Sequence, residues 1–248
     1  MRRSKELPII TNPRDAIELQ EAAIRRTAMN GKVIEILEAG CGRSWPFKLD
    51  GVRYRLTGID LDADALKHRV EVQGDLHEAV VGDLQTVSVQ AEKFDVIYCS
   101  FVLEHIDGAR DVLLRFKEWL KPGGSIIIKV PDPQSAHGFA TKLTPHWFHI
   151  FYYRYVVGYR EAGTPGHGPY RTYYNRVVSR AGMHEFCQEQ KLNISTETGM
   201  AEMARYGRWR DRLLRVARRI ISTVSLGNIS DRHSNLLFVM CKPGQSES

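Results

Sequence analysis

Apolar positions along the chain recur with two periods, and the switches between them mark the elements. Asn12-Pro13 reads as a helix N-cap followed by proline at the first helical position. Ile17, Ala23 and Ile24 give one face of a helix predicted to reach about Met29, where Asn30-Gly31 stops it. Short β-branched runs follow: Val33 to Leu37, Tyr54 to Ile59, Ala79 to Val81, Phe94 to Cys99 and Ser125 to Val130. Such runs, bounded by glycine and aspartate, predict strands. Between them, Asp62 to Val70 is helical in pattern, and Asp107 to Leu120 carries Val112, Phe116 and Trp119 on one face. Leu192 to Thr198 and Leu236 to Cys241 are the last two strand candidates.

Strands alternating with helices predict an α/β fold built on a parallel sheet with right-handed crossovers. Residues 131–180 break the rhythm. They are rich in histidine, glycine and proline, and hold seven of the ten tyrosines. One domain spanning residues 1–248 is expected, with an insert over 132–190.

The chain has 248 residues and 43% apolar composition, which excludes global disorder. No apolar run approaches the ~18 residues that span a bilayer, and the basic N-terminus lacks the apolar core of a secretory signal. Cys41, Cys99, Cys187 and Cys241 lie far apart, a pattern of reduced thiols and a cytoplasmic setting. The net charge of +6 is local. Residues 203–222 hold Arg205, Arg208, Arg210, Arg212, Arg215, Arg218 and Arg219 against Asp211 alone. A nucleic-acid enzyme spreads its basic residues along a groove, so nucleic acid is not the expected partner. Trp209, Leu213, Val216 and Ile220 fall at three- and four-residue spacing in this stretch and predict an amphipathic helix. It either packs on the domain with a solvated arginine face or makes peripheral contact with a membrane.

The candidate chemistry lies where strands end. Gly40 and Gly42 form a G-x-G turn after the first strand, suited to close backbone approach by a ligand. Asp60 ends the second strand, Asp83 the third, and Ser100 the fourth, which runs into Phe101-Val102-Leu103-Glu104-His105. Open α/β sheets bind ligands at these carboxyl ends. In this order, Glu38-Ala39-Gly40-Cys41-Gly42, Gly58-Ile59-Asp60, Gly82-Asp83-Leu84, Ser100 to Ile106 and Leu120-Lys121-Pro122-Gly123-Gly124 resemble the class I S-adenosylmethionine-dependent methyltransferases. The likeness is to the small-molecule group that includes ubiquinone and menaquinone biosynthesis enzymes, and it covers about residues 31–131.

The resemblance implies a Rossmann-like, seven-stranded, mostly parallel sheet with helices on both faces, the last strand inserted antiparallel. It implies S-adenosyl-L-methionine as cofactor, with Glu38 near the methionine amino group and Gly40, Cys41 and Gly42 forming the turn that lets the methionine part approach. Asp60 would hold the ribose, Asp83 and Leu84 would frame the adenine, and Ser100 and Phe101 would flank the sulfonium. The turn departs from the pattern at Arg43-Ser44-Trp45-Pro46. With no third glycine, and with Pro46 in a helix interior, the first helix is expected to be short or distorted. A nicotinamide-binding Rossmann reading shares the G-x-G and the later acid, but Gly82-Asp83-Leu84 and Glu104-His105-Ile106 fit it poorly.

The insert is expected either to form a lid over the acceptor or to bury its aromatics on the sheet. His105, His146 and His149 are the candidate general bases. They show no metal-ligand spacing, and no metal is expected. The leading expectation is a methyltransferase acting on a small-molecule, lipid or glycan-precursor acceptor at oxygen. The alternatives are a macromolecular acceptor (RNA or protein) and a non-catalytic cofactor-binding regulatory protein.

Overall fold

A computed structural model describes residues 7–28, 31–155, 158–164, 168–173, 175–201 and 229–244, together with residues 216, 219, 223 and 225. Strands β1 (Ile9–Ile10), β2 (Ile34–Ala39), β3 (Tyr54–Asp60), β4 (Glu78–Val81), β5 (Phe94–Ser100), β6 (Leu120–Pro131), β7 (Asn193–Met200) and β8 (Asn235–Cys241) form one sheet in the order β1-β7-β8-β6-β5-β2-β3-β4. The helices are α1 (Pro13–Thr27), α2 (Ala63–His68), α3 (Ala109–Trp119), α4 (Ala136–Leu143), α5 (His146–Tyr155) and α6 (Arg180–Gln190).

The sheet has eight strands rather than the expected seven. The extra one, β1, pairs in parallel with the end of β7 through Ile9↔Gly199 and Ile10↔Met200. Two residues are too few to carry a period. β8 runs antiparallel between β6 and β7, as the resemblance implied.

Side chains along a strand alternate between faces, so each central strand feeds two cores. Leu37, Ala39, Ile97, Cys99, Ile126 and Ile128 meet Val112, Phe116 and Trp119 of α3 and Met183 and Phe186 of α6. Ile34, Ile36, Leu56, Val96, Tyr98 and Ile127 meet Ala23 and Ile24 of α1, with Phe47 and Leu49. Burial on both faces explains why these strands read as continuous apolar runs. α6, grouped with the insert on sequence, belongs to the packed layer.

Two local departures shape the site. No helix joins β2 to β3, so the expected short helix is absent altogether. Trp45 and Phe47 instead pack edge-on, with Phe47 4.8 Å from Tyr98 between ring centroids. α1 satisfies this loop's backbone: Arg25 donates to the carbonyls of Asp50 and Lys48, and the Lys48 amide donates to Glu21. The second departure follows α2. It was predicted to run to Val70 but ends at His68, and one π-helical turn (Arg69–Gln73) closes on Gly74 with φ +65°.

The β7–β8 hairpin ends at Met200↔Asn235, where the Ser234 amide donates to the Met200 carbonyl at 3.0 Å. There His233 Nε2 donates to Asp132 Oδ2 at 2.8 Å and its Nδ1 accepts from the Ser230 hydroxyl at 3.0 Å. The expected basic helix over 203–222 lies outside the described residues, apart from Val216 and Arg219, both helical, with Val216 exposed. Among the described residues no helix is long and apolar enough to cross a membrane.

Candidate active site

The carboxyl ends of β2, β3, β4 and β5 line a cleft of about 910 Å³. Gly40 opens it. Its φ is +71°, and a Cβ there would lie 2.2 Å from Val102 Cγ2, so only glycine fits. Gly42 also has positive φ, +52°, but a Cβ would meet nothing within 4 Å, because that side faces the cleft. The Gly42 amide donates to Asp60 Oδ2 at 2.8 Å and the Asp62 amide to Asp60 Oδ1 at 2.9 Å. The Asp60 carboxylate is thereby fixed by backbone, and each oxygen keeps a lone pair for an outside donor. Asp62 has a different task. It caps α2, accepting from the Asp64 and Ala65 amides.

Across the cleft, Asp83 Oδ1 accepts from the Gln85 amide at 2.8 Å, and Leu84 is buried beside it. Ser100 and Phe101 close the end of β5. Phe101 holds φ at +56°, and its amide donates to the Lys129 carbonyl. The Lys129 ammonium sits 4.6 Å from the Phe101 ring centroid, a cation–π contact, and burial pulls the Lys129 amine below its usual range.

Gly40, Gly42, Asp60, Asp83, Leu84, Ser100, Phe101 and His105 thus share one cleft. Glu38 and Cys41 stand behind its wall. Cys41 is buried, which pushes its thiol up to about 12. Glu38 is 3% exposed and accepts from Arg69 Nη2 at 2.9 Å. Arg69 is itself fully buried. It also donates to the Cys41 carbonyl at 2.9 Å and to Asp75 at 2.8 Å. Burial pushes the Glu38 carboxyl above the usual range, and the guanidinium opposes that push. With no helix after β2, this arginine is what braces the glycine turn from behind.

The three histidines part company. His105 lines the cleft, with Nδ1 2.9 Å from the Arg171 carbonyl and its ring edge-on to Tyr170. A carbonyl only accepts, so Nδ1 carries the proton and Nε2 does not. Burial lowers the His105 pKa, and the charge of His146 adds to that. His146 is exposed at the start of α5, near enough to act on His105 but not in the cleft wall. His149 Nε2 lies 2.7 Å from the Thr144 hydroxyl and pins the α4–α5 turn. It does not reach the cleft.

Sequence reasoning missed Arg69, Tyr170 and Tyr173. The two tyrosines lie on a strap that crosses the cleft, stitched down where the Tyr173 amide donates to the Glu104 carbonyl at 2.7 Å. Asp60 and Asp62 raise the Tyr170 phenol beyond what burial does, which sets its hydroxyl near that carboxylate pair. Tyrosine richness was the only signal for the strap. Arg69 had none, since its partners lie 28 and 31 residues upstream.

The methyltransferase domain model matches residues 14–182. Phosphoethanolamine N-methyltransferase 3 of Arabidopsis thaliana is 30% identical over 115 residues, covering 41% of this chain and 23% of that protein. This chain therefore spans less than a quarter of the plant protein. The ubiquinone biosynthesis O-methyltransferase of Rickettsia typhi is 23% identical over 186 residues, 71% of this chain and 67% of that one. Among solved structures, an S-adenosylmethionine-dependent methyltransferase from Mesorhizobium loti superposes with a TM-score of 0.56 at 14% identity, covering 89% of this chain and 96% of that chain. A family match across most of the chain, joined to a sheet order and a strand-end cleft of this kind, makes the chain a member of the class I S-adenosylmethionine-dependent methyltransferases.

Proposed function

We propose that this methyltransferase acts on a hydroxyl oxygen of a small-molecule acceptor and that His105 takes the hydroxyl proton. The observation that carries the reading is the His105 ring. It is in the cleft wall, held by its Nδ1 bond to Arg171, neutral through burial, and left with Nε2 as a free acceptor. A neutral imidazole beside the reacting oxygen is the general base that an alcohol or phenol needs. The O-methyltransferase among the relatives agrees with an oxygen acceptor.

Bound S-adenosylmethionine supplies an electrophilic methyl group on a sulfonium. The chain's residues fit that cofactor. Asp60 retains lone pairs for the ribose hydroxyls, Gly40 and Gly42 leave room for the methionine portion, and Asp83 with Leu84 can frame the adenine. Ser100 and Phe101, at the end of β5 in the cleft wall, would flank the sulfonium. Glu38 acts at one remove, through Arg69 and the Cys41 carbonyl. The strap with Tyr170 and Tyr173 and helices α4 and α5 form the acceptor-side cover, and exclude water from the displacement.

The test is a screen of hydroxyl- and amine-bearing acceptors with methyl-labelled cofactor, run on wild type and His105→Gln. Labelled methyl ethers from wild type, with turnover lowered about a hundredfold in the variant and cofactor affinity within twofold, are the expected result. Methylated amines alone, with turnover indifferent to His105, would favour the nitrogen chemistry named for the plant relative.

The exposed side chains Trp147, Phe151 and Tyr155 recur every four residues along α5, and no residue of α5 is buried. That stripe supports peripheral contact with an anionic membrane surface, shared with the arginines of 203–222.

A further inference from the structure

Beside the cleft, with Tyr173 common to both linings, lies a second, smaller cavity of about 100 Å³. Its wall is built from Glu104, from Pro131 at the end of β6 and Pro133 just beyond, from Gly138 and Thr141 of α4, and from the strap at Thr172 and Tyr173. Tyr173 also lines the large cleft, so one side chain separates the two spaces. The site is built to close tolerance. A Cβ on Gly138 would lie 2.2 Å from the Asp132 carbonyl oxygen, so α4 can approach the end of β6 only with glycine there.

Glu104 is the anomaly in this wall. It is 4% exposed, and its Oε2 has no hydrogen-bond partner among the described residues. Its other oxygen, Oε1, lies 4.0 Å from His105 Nε2, too long for a hydrogen bond. A buried acceptor left unpaired is costly, and folded proteins carry few of them. The terminal torsion of a glutamate is broad, so the carboxyl can turn an oxygen toward the cavity at little cost.

We propose that Glu104 and this cavity bind a hydroxyl group of the acceptor, which places the acceptor across the Tyr173 boundary with its reacting end in the large cleft. The inference rests on the reading of a hydroxyl-bearing small-molecule acceptor given above, and sharpens it. The substrate class is an uncharged compound with a compact apolar end that bears a hydroxyl. A hydroxyl brings a single donor, and the Glu104 carboxyl in the cavity wall has a single oxygen without a partner, which a turn of the carboxyl brings to the cavity. An ammonium brings three donors and would leave two of them unmet among mostly apolar walls. Burial pushes the Glu104 carboxyl up to about 7, so near neutral pH an arriving donor tips it to the carboxylate. Glu104 acts here as a binding residue, and no bond forms or breaks at it.

The test uses the full chain saturated with S-adenosylhomocysteine, and phenol as the probe, with toluene and benzylamine as the other arms. Phenol binding is followed by calorimetry and by amide shifts at Thr141 and Thr172. Wild type should bind phenol in preference to both other compounds, and Glu104→Gln should weaken phenol at least tenfold while S-adenosylhomocysteine affinity stays within twofold. Glu104→Leu should abolish phenol binding and raise the melting temperature, because it removes a buried carboxyl whose Oε2 has no partner. A merely structural carboxyl would give the opposite stability change. Equal phenol affinity in the Gln variant, tighter benzylamine binding, or a lower melting temperature for the Leu variant would each overturn the proposal. Phenol binding needs no turnover, so its failure is separable from failure of the acceptor screen.

Discussion

Replacing Arg69 by methionine removes three hydrogen bonds at once and keeps most of the buried volume. The Glu38 carboxyl and the Cys41 carbonyl lose their donor in a place water does not reach, since Arg69 is fully buried and Glu38 3% exposed. Asp75 is a lesser loss, because its side chain keeps 24% exposure and can rehydrate. Each buried acceptor stranded in this way costs about 1–3 kcal/mol, so the pair sums to about 4 kcal/mol. Removing one partner of a buried ion pair falls in the same range, about 3–5 kcal/mol. For a domain of this size each kcal/mol lowers the melting temperature by roughly 2–4 °C, so the variant should melt about 10 °C early. The glycine turn loses its brace in the same stroke, and calorimetry should show weaker S-adenosylhomocysteine binding. Converting the partner as well, in Glu38→Met with Arg69→Met, replaces the pair by apolar groups and should recover most of the lost stability. The cycle of wild type, two singles and the double measures the coupling directly. A single variant within about 2 °C of wild type, or a double no more stable than Arg69→Met, would refute the argument.

Asp60→Ala should weaken S-adenosylhomocysteine binding at least tenfold, since hydrogen bonds to a charged group contribute roughly 1.5–3 kcal/mol and two ribose hydroxyls are involved. Asp62→Ala should leave affinity within about threefold and cost about 1 kcal/mol of stability as a lost helix cap, read by denaturant titration; equal effects of the two on affinity would exclude the ribose role. The rate with wild type should rise as pH climbs through a His105 pKa below the usual 6.5 and then level off, because the neutral ring is the base and burial lowers that pKa; a profile unchanged in His105→Gln counts against it. Trp147 is 67% exposed, so Trp147→Ser should shift the melting temperature by no more than about 1 °C, yet reduce co-sedimentation with anionic vesicles at low salt. Wild type that ignores such vesicles at every salt concentration would remove the membrane contact.

The parts legible in the chain were those with local causes. Central strands announced themselves because both their faces are buried, and Asn12-Pro13 marked the start of α1, where the Asn12 side chain does accept from the Arg14 amide. Asp60 and Asp62 were separable on sequence because one ends a strand and the other precedes a helix. What was missed has causes remote in sequence. Pro46 signalled trouble for the first helix, but its complete loss depends on Phe47 filling the space above Tyr98 and on Arg25 feeding the loop carbonyls. Arg69 drew no reading from the sequence, since the π turn that begins at it leaves no mark in the apolar period. Among the histidines, only the folded path of the strap sets His105 apart from His149, because Arg171 and Thr144 claim one each.

The end of the β7–β8 hairpin is pinned on both of its strands by contacts of its own. The chain leaves the sheet at Met200 and returns at Asn235, directly opposite, and the register there is held by the Ala201 amide on the Ile10 carbonyl and the Ser234 amide on the Met200 carbonyl. Loop closure grows only with the logarithm of length, so a stretch of about 34 residues costs about 2 kcal/mol more to close than a four-residue turn. That is a small toll for freedom to vary. The cofactor cleft lies elsewhere in the sheet order, at strands β2 to β5. The Asp132–His233–Ser230 clasp fastens the hairpin's return to the start of α4, so a change at this end of the sheet reaches the wall of the smaller cavity rather than the glycine turn.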